Sequence, residues 1–284
     1  MEKYTFQKIK RYFLTVIKYF TLCFGAFVAI VPVAVCLITA LKSPEEYAKT
    51  SVMTPPSNWL YLENFKYAWS KANMLLGFRN SFLVLVVVLA GSIMLGTMLA
   101  YVLNRFTFPG NQLIRKLFLF ATLIPGVATQ VTVYQIMNSM NLINTLRGYM
   151  LLMMGTDVIS IYIFIQFFEN ISISIDESAI MDGASYYTIF FKILLPLLKP
   201  AIVTCMILKG VSTYNEYYMS NLYLQSKDKL VTVATSLYTF VGPLGSQFNY
   251  ICAGVLITII PALIIFVLCQ KQIYSGLTQG SVKG

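Results

Sequence analysis

Two ionisable residues stand inside apolar runs, where a charge must do something to be tolerated: Asp157 and Lys209. A charge in the middle of a membrane costs about 2.5 to 3.5 kcal/mol on insertion scales and usually faces a partner or a cavity. If both runs cross a bilayer, the two side chains come out at similar depth. They then form either a buried ion pair or part of a polar lining. A third group, Tyr214, Asn215 and Glu216, follows Lys209 at the end of its run and offers stacking faces and hydrogen bonds. It is equally consistent with an interfacial aromatic belt. The chain has no histidine, which removes histidine bases and histidine metal ligands. It also lacks the G-x-x-x-x-G-K-[ST] loop that cradles nucleotide phosphates. No residue set points to catalysis.

The other chemically marked stretch is polar, Ile171 to Pro200, ISISIDESAIMDGASYYTIFFKILLPLLKP. Ser174 followed three residues later by Glu177 reads as a capping box, and Asp176 and Glu177 suit the positive end of a helix dipole. Ile175, Ala179, Ile180 and Ala184 fall near helical spacing. Gly183 is a costly helix residue, so either the helix ends there or something packs closely. Taken on composition alone, the stretch is an amphipathic connector resting on lipid headgroups.

These groups are positioned by apolar segments. The 284 residues are 57% hydrophobic and 11% charged, where a soluble domain carries about 25% charged residues. Runs of roughly 20 apolar residues match the thickness of a bilayer. The fold class is therefore an all-α polytopic membrane protein with six transmembrane helices. The spans are expected at 19–41, 81–103, 117–137 with a kink at Pro125-Gly126, 148–168, 201–222 and 250–269. Pro32 is a further candidate bend, in the first span. Short helices are expected near 62–71 and, on the surface, 230–241. The organisation is a basic N-terminus 1–18, a six-span domain 19–270 that includes the loop 171–200, and a tail 271–284.

The net charge of +10 is spread over the ends of apolar runs, which argues for orientation in a membrane and against nucleic acid. Among the short loops, Arg105, Arg115, Lys116, Lys192 and Lys199 lie on one side and Arg147 on the other. That side, with both termini, reads as cytoplasmic. The first apolar run is too long for a signal h-region. The five cysteines all sit in apolar runs without paired spacing and read as small buried hydrophobes.

With those residues in place, the loop resembles the signature of the permeases of ATP-binding-cassette importers: Glu177, Ala179, Gly183, Ile193, Leu195 and Pro196 match it at full spacing. Ser178 stands where that family usually has alanine and Ser172 where proline is common. The tail residues Tyr274, Gly276, Leu277, Thr278, Gly280, Val282, Lys283 and Gly284 resemble the C-terminus of the maltose-transporter branch. The resemblance implies a cytoplasmic coupling helix between spans 4 and 5, with Glu177, Ser178, Ala179, Asp182, Gly183, Ile193, Leu195 and Pro196 engaged with an ATPase subunit. It implies tail contacts to the ATPase from Gly276, Leu277, Gly280 and Lys283. It further implies a bacterial cytoplasmic-membrane complex of this chain, a homologous permease, two ATPase subunits and an extracytoplasmic solute-binding protein. ATP and Mg would sit on the ATPase subunits, with no cofactor on this chain, and the solute would be a carbohydrate. The competing readings are an ion-coupled carrier using Asp157 and Lys209, and an ATP-driven importer of a non-sugar solute.

Overall fold

A computed structural model describes residues 2–155, 157–242 and 245–279. The chain divides into two compact units, one made of residues up to Ala72 with Leu237–Ile260, the other of Asn73–Ser236 with the segment from Pro261 onward.

The first unit opens with α1 (Glu2–Ala40), which carries Pro32 within it. Its apolar stretch Arg11–Ala40 is long enough to cross a membrane; its most apolar part is unburied, and burial sets in at its end, at Thr39 and Ala40. The helix begins well before the expected span, because the basic N-terminal residues continue the helical pattern. Two short helices follow, α2 (Pro44–Lys49) and α3 (Glu63–Lys71), the second where the sequence places it. Ser43 caps α2 by accepting the Glu46 N–H, with Pro44 at the first helical position. This placement matches the preference of proline for a site whose N–H has no intrahelical partner.

A buried polar knot closes the end of α1. Lys42 is fully buried, its Nζ donating to Thr50 Oγ1 at 3.1 Å and the Ser51 carbonyl at 2.6 Å. Asn64 donates to the carbonyls of Ala40 and Lys42, both at 2.7 Å, and accepts from Asn249 at 3.3 Å. Helix C-termini leave carbonyls without intrahelical donors, and here side chains supply them. Tyr67, Phe240 and Tyr250 pack as a ring trio beside this knot's chain segments, Tyr67 and Tyr250 with centroids 4.4 Å apart.

The second unit is built on α4 (Met74–Arg105), a 32-residue apolar helix. Three bent helix pairs follow it in sequence. The first is α5 (Asn111–Thr122) with α6 (Gly126–Ser139), bent by 104° at the Pro125-Gly126 break. The second is α7 (Leu146–Met153) with α8 (Val158–Glu169), bent by 48°. Next come α9 (Ile173–Met181) and α10 (Tyr186–Thr188), then a π-helical turn Ile189–Leu194 and α11 (Leu195–Leu197). The last bent pair joins Tyr186–Leu197 to α12 (Lys199–Tyr214) at 74°, where Pro196 and Pro200 remove backbone donors. Beyond it lie α13 (Tyr218–Tyr223) and α14 (Val233–Ser236).

Among the described residues, three helices are long and apolar enough to cross a membrane, and up to six crossings result if each bent pair is one span. The third long helix is α15 (Phe248–Gln279), apolar over Phe248–Gln270 and carrying Pro261.

The core of the second unit lies where α4 packs against α8 and α12. Ala100, Tyr101, Ile161, Phe164, Phe168, Phe190, Leu194, Leu198 and Cys205 are buried there. Small residues let the helices approach, as they do in membrane bundles. A Cβ on Gly96 would lie 3.2 Å from the Phe164 ring, and one on Gly91 would overlap the Met154 side chain.

The expected surface helix at 230–241 is corrected. It is a short turn of α14 followed by a 3₁₀ turn Leu237–Phe240, and Val231, Val233, Thr235, Ser236 and Phe240 are buried. The N-terminal end of α4 holds the first part of it: Asn80 donates to the carbonyls of Lys229 and Val231, and Ser81 accepts the Val233 N–H at 2.9 Å. Val241–Gly242 (β1) and Gly245–Ser246 (β2) then pair as a minimal antiparallel ladder. All five cysteines are free thiols. Cys205 and Cys252 are buried as expected, whereas Cys23 is exposed on the uncovered face of α1.

Candidate functional site: the α9 coupling segment

The segment between α8 and α12 carries the structure's most specific local chemistry. Its helix, α9, starts two residues earlier than the capping box implies: Ser172, rather than Ser174, is the cap, accepting the Ser174 N–H at 3.3 Å. Only residues 170–172 separate α8 from α9, and Ile171 still bonds back to the Phe168 carbonyl. The chain is therefore already turning at Ser172.

The other end is defined by Gly183. Its φ is +79°, the left-handed region, where residues with a Cβ pay a steric penalty. The Gly183 N–H donates to Ile180 and the Ala184 N–H to Ala179, the paired bonds of a Schellman motif. The helix thus ends at Met181, short of Ala184. Among the described residues nothing lies within 4 Å of where a Gly183 Cβ would be, so within this chain termination accounts for the glycine.

One face of α9 is anchored and the other is bare. Asp176 and Ala179 are buried, Ile175 and Ala184 are half-buried. Ile180, expected on the apolar stripe, faces outward instead. It joins Glu177, Ser178, Asp182 and Met181, the last 87% exposed, with Tyr186 and Tyr187 close by in sequence and also exposed. A cluster of bare apolar side chains at a helix end is the pattern of an interaction surface. Ile193 and Leu195 do not belong to that face. They are half-buried and pack into the core around Phe168 and Phe190, while Pro196 is exposed.

Behind α9 sits a residue that the sequence suggested only as a topological charge. Arg105, the last residue of α4, places its Nε 3.2 Å from Asp176 Oδ2, with side chains only 7% and 10% exposed. Its Nη1 donates to Asn104 Oδ1 at 2.9 Å and the Phe168 carbonyl at 3.2 Å, and its Nη2 donates to the Ile171 carbonyl at 2.9 Å. Arg115, half-buried, donates to the Leu103 carbonyl at 2.9 Å and lies 3.7 Å from the exposed Glu169, a long pair worth little by itself. Nothing in the spacing of Arg105 and Asp176, 71 positions apart, signals their meeting.

The mid-membrane pair is not formed. Among the described residues no ion pair joins Asp157 to Lys209. Asp157 lies at the break between α7 and α8, where its carboxylate caps α8 by accepting the Ile159 N–H at 3.0 Å and the Ser160 hydroxyl at 3.4 Å. A continuous helix at this point, the sequence expectation, would have projected it sideways; the break turns it into a cap. Lys209 is half-buried on α12, with Asp157 and Glu216 near enough to act on it electrostatically. Tyr214 ends α12 half-buried, Asn215 bonds back to the Val211 carbonyl, and Glu216 accepts the Met219 N–H in the first turn of α13. The carboxylate of Glu216 is thus engaged by backbone.

Because asparagine caps helices about as well as aspartate, Asp157→Asn should leave thermal stability of the purified chain within about 0.5 kcal/mol. Asp157→Ala should lose about 1 kcal/mol. Equal losses from both in thermal unfolding would show that charge, and not capping, holds the residue.

Of the tail residues expected to contact an ATPase, Gly276 and Leu277 fall on the backbone of α15, and Gly280 and Lys283 lie outside the described residues.

Residues 92–272 match the family model of the binding-protein-dependent transport system inner membrane component. The chain belongs to this family. The match takes in α9 and its anchors Arg105 and Asp176. The chain is 29% identical to the arabinooligosaccharides transport system permease protein AraQ of Halalkalibacterium halodurans over 264 residues, covering 92% of this chain and 94% of that one. It is 26% identical to the galactooligosaccharides transport system permease protein GanQ of Bacillus subtilis, with 98% of both chains covered. Its fold also matches a chain of a bacterial ABC transporter involved in the import of the acidic polysaccharide alginate, with a TM-score of 0.80 at 20% identity over 91% of this chain and 95% of the other. Both curated relatives are named as permease proteins of transport systems.

Proposed function

We propose that this chain is the transmembrane permease subunit of an ATP-driven importer that takes a carbohydrate of oligosaccharide size from an extracytoplasmic binding protein. The observation that carries the coupling part is the bare outer face of α9, capped at both ends and anchored from behind. The carbohydrate part rests on relatives named for oligosaccharide transport along their whole lengths. In this reading each bent pair counts as one span, and six spans would put both termini and α9 on the cytoplasmic side.

The mechanism follows from the division of labour. This chain has no phosphate-binding loop, so nucleotide energy must enter through a partner. Two ATPase subunits would bind ATP and Mg, and one would seat α9 in a cleft against Glu177, Ser178, Ile180, Met181 and Asp182. Closure of the ATPase pair would move α9 and, through its anchors, the spans behind it. A homologous permease would cover the exposed spans, including the bare face of α1, and complete the path. Asp157, Lys209 and the Tyr214–Glu216 group would line or gate that path, with the tail from Gly276 onward reaching toward the ATPase.

Gentle purification of the chain from its own membrane, with mass spectrometry of what accompanies it, tests this directly. An ATPase together with a second permease is the expected result, followed by ATP-dependent uptake of labelled arabino- or galacto-oligosaccharides in proteoliposomes. Transport by the chain alone without ATP would overturn the reading.

A further inference from the structure

Arg105 joins three segments that the sequence keeps far apart. Its own backbone ends α4, its Nη1 and Nη2 donate to the Phe168 and Ile171 carbonyls at the end of α8, and its Nε faces Asp176 in the first turn of α9. The Phe168 ring lies beneath the guanidinium, 5.9 Å from Cζ to the centroid. Among the described residues the Asp176 carboxylate has no hydrogen-bond partner, and Arg105 is its charge partner. A buried charge held by one cation is expensive to separate from it. The planar, forked guanidinium reaches all three segments at once, which a lysine ammonium cannot do.

The opposite end of α9 is held differently. It leaves through Gly183 with no charged anchor among the described residues, and its contacts are apolar: Ala184 packs against the core of the second unit, and the Tyr186 ring lies 5.3 Å from that of Phe106, the residue after α4. The start of α9 is thus the end tied to α4 by a buried charge pair.

We propose that Arg105 is the positioning residue that transmits movement of α9 to α4, so that α4, α8 and the start of α9 shift as one body. This rests on the reading of α9 as the ATPase-docking helix. It adds a residue outside the 171–200 loop to the coupling apparatus and names the route by which force leaves that loop.

The test uses the complex of this chain with its ATPase in lipid nanodiscs and reads amide hydrogen exchange with and without Mg-ATP plus orthovanadate. In the wild type, trapping should change exchange in both 172–184 and 97–106. In Arg105→Gln the change in 172–184 should persist, while that in 97–106 falls at least fivefold. Arg105→Lys should retain part of it. Asp176→Asn, a near-isosteric change that leaves the arginine in place, should reproduce the loss should Arg105→Gln prove too unstable to purify. A role confined to stability would instead raise exchange throughout α4 and α8 in both nucleotide states, without separating the two segments. That result overturns the proposal, as does a wild-type response at 97–106 in both variants. A wild-type preparation that holds no ATPase overturns the docking reading itself, and this role with it.

Discussion

A Gly183→Val chain should reach the membrane in normal amount and lose at least nine-tenths of ATP-driven uptake, whereas Gly183→Asn should keep most of it. Gly183 has φ +79°, and no neighbour lies within 4 Å of where its Cβ would be, so the penalty is conformational rather than steric contact. An L-residue in the left-handed region costs about 1–2 kcal/mol, more when β-branched. Asparagine tolerates the same region and is found at this helix position. Relief of the strain requires undoing the Gly183 and Ala184 bonds to the last turn of α9, which displaces Met181 and Asp182 on the bare face. Since 1.4 kcal/mol is about a factor of ten, even this modest strain suffices when the docking geometry depends on the turn. Uptake by whole membranes, normalised to the amount of chain inserted, distinguishes the two substitutions. Equal uptake by the valine and asparagine variants would remove the helix end from the mechanism.

The second large effect concerns Met181. A glutamate there should weaken ATPase association roughly 30-fold or more, in line with the loss of about 2 kcal/mol that marks an interface anchor. Met181 is 87% exposed at the tip of α9, so folding of this chain places no demand on it. Burying its side chain against a partner would, and an added carboxylate would have to be desolvated beside Glu177 and Asp182. Leu60 is 82% exposed on the segment between α2 and α3. Leu60→Glu should leave ATPase association unchanged, because the proposed topology puts that segment on the opposite side of the membrane. Pull-down of the ATPase against tagged chain, over a dilution series, measures both. Retention of the ATPase by Met181→Glu at wild-type strength would move the interface elsewhere.

These two residues mark different depths of legibility. Gly183 could be read from the sequence as a helix end or a close approach, and φ shows that it is at least the former. Met181 was not marked at all, because a methionine in a helical run usually packs inward. Only the neighbours present on each side of α9 show that it does not. The same holds for Ile180, placed on the apolar stripe by spacing and turned outward in a helix that starts at Ile173. At about 100° per residue Ile180 lies about a quarter turn from the mean direction of Ile175, Asp176 and Ala179, so the anchored face stops short of it.

Composition and run length alone settled the class of this protein. Charge is too scarce and apolar runs are too long for a soluble core, and those quantities do not depend on how the helices are arranged. The Pro125-Gly126 bend and the short helix at Glu63–Lys71 were legible for a similar reason, since proline, glycine and helical periodicity act through local backbone geometry. Tertiary structure decided the pairings. Asp157 and Lys209 match in sequence-derived depth, yet a break of a few residues before α8 converts Asp157 into a cap. Arg105 and Asp176 share no local pattern, and they meet because α4 packs along α8 and brings its last residue to the carbonyls where α8 ends. Side-chain charge is written in the sequence, but which charge it meets is set by helix breaks and packing over distances no local spacing encodes.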